Sequence, residues 1–448
     1  MTAVSYANWM LEQEARALMT RLERVKPFAL HETMLPAAAI LPAAQTGIER
    51  YLMKGRQELR GSIQKYISWL RSPLGQNATP AQAQQLFSML RLRFNAVLTQ
   101  FDLFSDVLTQ RSENEIGVWL SGLAVVSADA LSLSGDYYQT PPIICYLERG
   151  VGAAIRRART RLPGGGENPV AIIRVPRERL VGSGIASSLV HEVGHQAAAL
   201  LDLVNSLKPV LRGLQGGSGS YSDIWSLWER WISEIVADFW SVAKVGIAAI
   251  LGLMGVVSLP RAFVFRLNIN DPHPPPWIRV KLSCAMGQAL YPHPQWERLA
   301  GLWESYYPLI GLDTERQDSF TKLQATLAGF VALLVNHRPK SLRGLTLAEA
   351  LEVHNRQPRQ LQTLLQNWRQ QPANMYHAPP TLVFAVIGQA RSDGRMSPEQ
   401  ESTILAKLLT HWALSSTLEM SASCSMGLNQ RTSRPAVSEY PRHHLTIH

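Results

Sequence analysis

Cysteine is scarce in this chain. Only Cys145, Cys284 and Cys424 occur in 448 residues, far apart and never as CxxC. That excludes a disulfide framework and a thiolate metal site, and it fits a reducing compartment. Charged residues are also few, 17% against 46% hydrophobic, a balance too apolar for global disorder. The start, MTAVSYANWMLEQEARALM, lacks the basic residues and apolar run of a secretory signal. A cytoplasmic protein is the expectation, with non-classical export, needing no cleaved signal, as the alternative. No apolar run reaches the roughly 20 residues that cross a bilayer. The most apolar window, Val245 to Leu259, has 15 residues and is flanked by Lys244 and Arg261. It reads as a buried helix or helical hairpin, with membrane contact through 245–259 as the alternative. Zinc-finger, RNP-type aromatic and basic heptad motifs are missing too. The net charge of +10, part of it in Arg156, Arg157, Arg159 and Arg161, therefore reads as a solvated basic face. No nucleic-acid partner is expected.

What is present is mainly helical. Ile48 to Leu70 carries apolar residues at three- and four-residue spacing. Thr79-Pro80 offers an N-cap and a first-turn proline ahead of Leu86, Leu90, Phe94, Leu98 and Phe101. In the middle, Pro163 to Gly166 predicts a turn, and Val170 to Val175 (VAIIRV) a strand stopped by Pro176. Gly182 and Gly184 then open a helix ending near Leu207. A glycine-rich loop (Gly213, Gly216, Gly217, Gly219) leads to a tryptophan-rich helix over Ser222 to Lys244. Further helices are expected over Leu299–Leu309, Phe320–Val335, Leu345–Leu365 and Ser397–Leu414, with Ser397 as N-cap of the last. Residues 421–448 read as a tail, in which His443, His444 and His448 are adventitious metal binders.

The chemistry-bearing segment is Leu189-Val190-His191-Glu192-Val193-Gly194-His195, an HExxH on a helix. Residues four apart share a helical face, so both imidazoles can address one tetrahedral ion. Glu192 stands where a carboxylate can take a proton from the attacking water. By chance alone HExxH arises in on the order of one chain in a hundred of this length. The next helix strengthens it. Glu234 lies 39 residues after His195, and Asp238 one turn beyond Glu234, both amid Trp231, Ile235, Val236, Phe239 and Trp240. A carboxylate pair in such surroundings needs a cation or hydrogen-bond donors. Zn2+ held by His191, His195 and Glu234 meets that need, and Asp238 would accept the ring N–H of His191.

HExxH followed by ExxxD on a second helix resembles the gluzincin metallopeptidases. Over about residues 165 to 285 the resemblance implies a zincin-like domain with a strand at the cleft, Val170 to Val175, pairing with an extended peptide substrate. The segment Asp271-Pro272-His273-Pro274-Pro275-Pro276-Trp277-Ile278-Arg279 is similar to the His-Pro-Pro segment of the CaaX-prenyl-protease and heat-shock membrane peptidase family. By that resemblance His273 or Arg279 would stabilise the oxyanion.

The expected architecture is mainly α (α+β). A helical region (1–135) precedes a zincin-like metallopeptidase domain with a small edge sheet (136–290), followed by a second helical region (291–420) and the tail. The expected function is zinc-dependent hydrolysis of a peptide or protein substrate. The alternatives are a catalytically silent metal-stabilised scaffold and a protease-type effector delivered by another machine. Gly182-Ser183-Gly184 lacks the third glycine of a dinucleotide turn, and the loop at Ser392 to Glu399 lacks calcium ligands, so neither nucleotide nor calcium is expected.

Overall fold

The computed structural model describes residues 3–25, 35–148, 152–162, 166–177, 183–216, 221–268 and 270–432. The first third is helical: α1 (Ala3–Arg24), α2 (Pro42–Arg71), the short α3 (Pro73–Asn77), α4 (Pro80–Thr109) and α5 (Asn114–Leu131). Three strands follow, β1 (Ile143–Glu148), β2 (Ala154–Arg156) and β3 (Ala171–Pro176). Then come α6 (Ser183–Leu200), α7 (Leu203–Gln215), α8 (Ser222–Val245), α9 (Ile247–Val257), α10 (Arg261–Val264) and α11 (Pro276–Leu290). The chain continues through α12 (Gln295–Tyr306), α13 (Thr314–Asn336), α14 (Leu347–Ala350), α15 (Pro358–Gln370), α16 (Ala373–His377), α17 (Pro380–Ser392) and α18 (Pro398–Thr432). The protein is mainly α with one small sheet.

Local sequence explains several of these starts. Thr79 Oγ1 accepts from the Gln82 amide at 3.2 Å while the Gln82 side chain accepts from the Thr79 amide at 3.0 Å. That reciprocal box satisfies two donors that a helix start otherwise strands. Ser397 caps α18 in the same sense, accepting from the Gln400 amide at 3.3 Å. Along α4 the face that enters the core runs through Phe87, Leu90, Phe94, Val97 and Phe101; Leu86, expected inside, is exposed.

The sheet has the order β1-β3-β2, with β1 parallel and β2 antiparallel to β3. Successive strand residues point to opposite faces. Ile144 and Ile172 enter one apolar cluster, built by α1, α2 and α4. Ile143, Cys145, Leu147, Ala171, Ile173 and Val175 enter a second one, which holds α5 and everything from α6 onward. The first cluster draws on residues from Leu11 to Leu108 and on Ile144, Val170 and Ile172, while the second takes in residues from Leu120 onward. The later helices close no core of their own, since Trp303, Phe330, Leu365, Phe384 and Leu405 belong to the second cluster. Cys145 and Cys284 are free and buried.

Four expectations change. The strand at 171–176 is the middle of the sheet, flanked on both sides, so it offers no edge to a substrate; β2 is the edge strand on the side of α6. The helix expected to reach Leu207 breaks at Asp202, whose φ of 52° is a left-handed conformation that Asp tolerates better than most side chains. The 345–365 segment divides into α14 and α15, separated by Glu352 at φ 51° and by Pro358. Helix α18 runs on to Thr432, beyond the point where a tail was expected. Strand β1 and helix α11 add to the elements expected from the sequence. Pro163, Gly164, Gly165, Gly182, Gly217, Gly219 and the tail histidines lie outside the described residues.

The 245–259 window forms α9, whose residues Ile247 to Ile250, Gly252 to Met254 and Val257 are buried inside the second core. Among the described residues no helix is long and apolar enough to cross a membrane.

Candidate metal centre

Helices α6 and α8 pack so closely that one position admits no side chain. A Cβ at Gly194 would lie 2.8 Å from the Ala237 Cα and 2.9 Å from its carbonyl oxygen. The glycine inside HExxH thus lets the backbone carrying both histidines lie directly on the backbone carrying both acids. From Glu234 onward α8 is buried on all sides, which is why its sequence shows so little polar patterning.

At the contact, the rings of His191 and His195 stand edge to face, with centroids 4.8 Å apart. The ligand atoms of His191, His195 and Glu234 lie within 4.8 Å of one another. Glu234 Oε2 is 3.2 Å from His191 Nε2 and 3.4 Å from His195 Nε2. Yet this oxygen is buried, and among the described residues no nitrogen meets it with hydrogen-bond geometry. Leaving a buried acceptor unmet costs about 1–3 kcal/mol, and more for a charged one. Two imidazoles and a carboxylate oxygen converging without hydrogen bonding are what a shared divalent ion requires, so the residues fit zinc.

Behind the trio, His191 Nδ1 lies 2.8 Å from Asp238 Oδ1. A carboxylate only accepts, so the Nδ1 carries the proton and Nε2 is the nitrogen left toward Glu234. Arg279, from the first turn of α11, grips the same carboxylate with two bonds, Nε to Oδ2 at 2.7 Å and Nη2 to Oδ1 at 2.8 Å. Burial raises the Asp238 carboxyl, but Arg279 and His191 outweigh it and hold it well below the usual carboxylate range. Burial likewise raises Glu234, and the two imidazoles beside it bring it far down. For His191, burial pushes the imidazolium down and the Asp238 charge and hydrogen bond then lift it to about 9.

Arg279 was expected as an oxyanion stabiliser. Its guanidinium forks onto Asp238 on the Nδ1 side of His191, with Nη2 3.4 Å from that nitrogen, and it also feels the charges of Glu234 and Glu192. His273 is on the near side: its Nε2 reaches Glu234 Oε2 at 3.2 Å and its ring is half exposed. Pro274 and Pro275 follow it, and Pro276 begins α11 at a position where a missing amide costs nothing. Glu192 is 8% exposed, and no hydrogen bond holds its carboxylate among the described residues.

Two contributors carried no recognised signal. Asp271 accepts from the His273 amide at 3.0 Å and meets its Nδ1 at 2.9 Å, fixing the ring. Its position two residues ahead, in an Asp-Pro turn, was the available clue. Gly194 was the other; an isolated glycine in an apolar helix marks close backbone approach more often than flexibility. No protein-family profile, curated protein or solved structure matches the chain, so the site rests on its own geometry.

Proposed function

We propose that the chain is a zinc-dependent peptidase of gluzincin type, with His191, His195 and Glu234 holding the metal. The buried Glu234 Oε2, surrounded by imidazole nitrogens and without a hydrogen-bond partner, is the observation that carries this reading. Three protein ligands, two of them imidazoles, are typical of zinc sites that keep a position for chemistry. When bound, zinc would polarise the scissile carbonyl and acidify the attacking water.

Glu192 takes the proton of that water and passes it to the leaving amine. His273, its Nδ1–H given to the Asp271 carboxylate, would stabilise the developing oxyanion from the exposed side of the site as an imidazolium that donates its Nε2–H. Asp238 and Arg279 are positioning residues: they hold the tautomer and orientation of His191. An extended peptide would add along the outer side of β2, an edge strand that packs against α6. A metal-stabilised scaffold would give Glu192 no task.

Elemental analysis tests the site, on full chain in which His443, His444 and His448 are replaced by alanine. About one zinc per chain is expected, and its loss in Glu234→Ala. Glu192→Gln should keep the zinc and lose all cleavage of a peptide library. A Glu192→Gln protein that still cleaves, or a wild type that takes up no zinc on reconstitution, would end the proposal.

A further inference from the structure

A second site, sharing no residue with this chemistry, surrounds Arg111. This residue sits in the single turn between α4 and α5 and is only 1% exposed. Its Nη1 donates to Ser121 Oγ at 2.8 Å and its Nη2 to the Cys145 carbonyl at 3.0 Å. Its Nε is buried with no partner. No acidic side chain among the described residues pairs with it, and burial lowers its pKa to about 10, with only the Cys145 thiol opposing. A buried guanidinium without a counter-charge carries a desolvation cost of several kcal/mol that neutral neighbours do not repay.

The guanidinium also borders a cavity of about 330 Å³. Its walls come from the Pro36–Ala38 turn, α5, the start of β1 and α18. Ala124 and Ala128, one turn apart on α5, face Ala413 of α18 across it, with Ile143 and Met420 completing an apolar lining. The volume lies at the lower end of small-molecule pockets. A guanidinium acting only as a brace between the α4–α5 turn and β1 needs no void beside it. The contrast with a second buried-cation cavity, at Lys244 and Arg356, is informative. There Asp129 and Glu352 line the same space, and the charges balance within the protein. At Arg111 no balancing anion is found among the described residues, and the space for one is present.

We infer that this cavity binds a small carboxylic acid with an apolar, acyl-type body, its carboxylate paired with Arg111 and its chain lying among the alanines of α5 and α18. The head would accept from the guanidinium, and from the Ser121 hydroxyl beside it, in the bidentate manner that guanidinium and carboxylate planes allow. The small side chains make the room, and the charge selects the head group. Nothing in this depends on the metal centre, with which the cavity shares no residue.

The test is calorimetric titration and thermal unfolding of the full chain with decanoate below its micelle concentration. Decanol, which lacks the charge, and acetate, which lacks the body, are the parallel probes. Decanoate should bind with one-to-one stoichiometry and raise the melting temperature, with both other probes at least about tenfold weaker, the factor expected for loss of one charge-assisted hydrogen bond. Arg111→Gln should cost at least as much. Should that variant fail to fold, Ala124→Phe fills the cavity while leaving Arg111 and its bonds to Ser121 and Cys145 in place, and it should abolish binding. Decanol binding as tightly as decanoate, decanoate binding unchanged in Ala124→Phe, or no saturable decanoate binding at all would each overturn the inference.

Discussion

His191 Nδ1 and Asp238 Oδ1 lie 2.8 Å apart, and the same carboxylate receives the forked guanidinium of Arg279. One acid thereby joins a histidine of α6 to an arginine of α11. The coupling predicts that Asp238→Asn weakens zinc binding by about 10–100-fold, the usual effect of removing the acid behind a ligand histidine. A competitive chelator titration measures it; an unchanged affinity would detach Asp238 from the metal site.

Arg279 should be structural in its cost. Arg279→Met leaves Asp238 buried without its main counter-charge, and unfolding of the metal-free chain in urea should show about 3–5 kcal/mol of destabilisation. The double variant Asp238→Asn/Arg279→Met should lose clearly less than the two single losses added, because the second change removes the charge stranded by the first. Additive losses would mean the two groups do not act as a pair.

Zinc uptake should release a proton. Held at about 9, His191 is protonated in the metal-free chain at neutral pH, and its Nε2 must be bare to bind. Apparent affinity should therefore climb as pH rises toward about 9, and calorimetric heats at pH 7.5 should depend on the buffer's ionisation enthalpy. The stability of the metal-free chain follows the opposite sign. A raised histidine contributes fully below its ordinary 6.5 and loses that contribution as pH rises through about 9. The lowered Glu234 and Asp238 contribute above the usual carboxylate range and lose it as pH falls through and below that range. Buffer-independent heats would contradict the His191 assignment.

His273→Ala should lower kcat by about 10²–10³-fold, the scale set by losing one oxyanion donor, with zinc content intact. Asp271→Ala should fall in the same direction by less, since it frees the ring without removing it. Steady-state kinetics on any cleaved peptide decide this; a loss of zinc in His273→Ala would make His273 a ligand instead.

Gly194→Ala probes the helix contact. The added methyl has nowhere to go against the Ala237 backbone, so α6 and α8 must separate. Overpacking of this kind costs about 1–3 kcal/mol, and the separation should also weaken zinc. A variant with wild-type stability and affinity would show that the helices part freely.

Much of the centre was legible in sequence because its parts are local. His191, Glu192 and His195 share one helix, and Glu234 and Asp238 another, so a period of four residues placed each pair on a face. The strand at 171–176 was recognisable from its β-branched run. Its place in the sheet was not, because pairing with β1 and β2 is set by contacts with residues that share no pattern with it. Burial on both faces also erased the alternation that separates an edge from a centre.

The amino-acid order by itself determined which side chains could meet an ion: backbone periodicity fixes neighbours within a helix, whatever the rest of the chain does. It also determined the helical class, the capped start of α4 and the buried character of α9. Only the tertiary structure decided that Arg279 serves Asp238, that His273 faces Glu234, that β3 is the middle strand, and that Arg111 is buried beside a cavity with no acid paired to it among the described residues. Those relations join residues far apart in sequence, such as Arg279 and Asp238 at 41 positions, across elements whose approach depends on packed volumes and on positions such as Gly194 that admit no side chain.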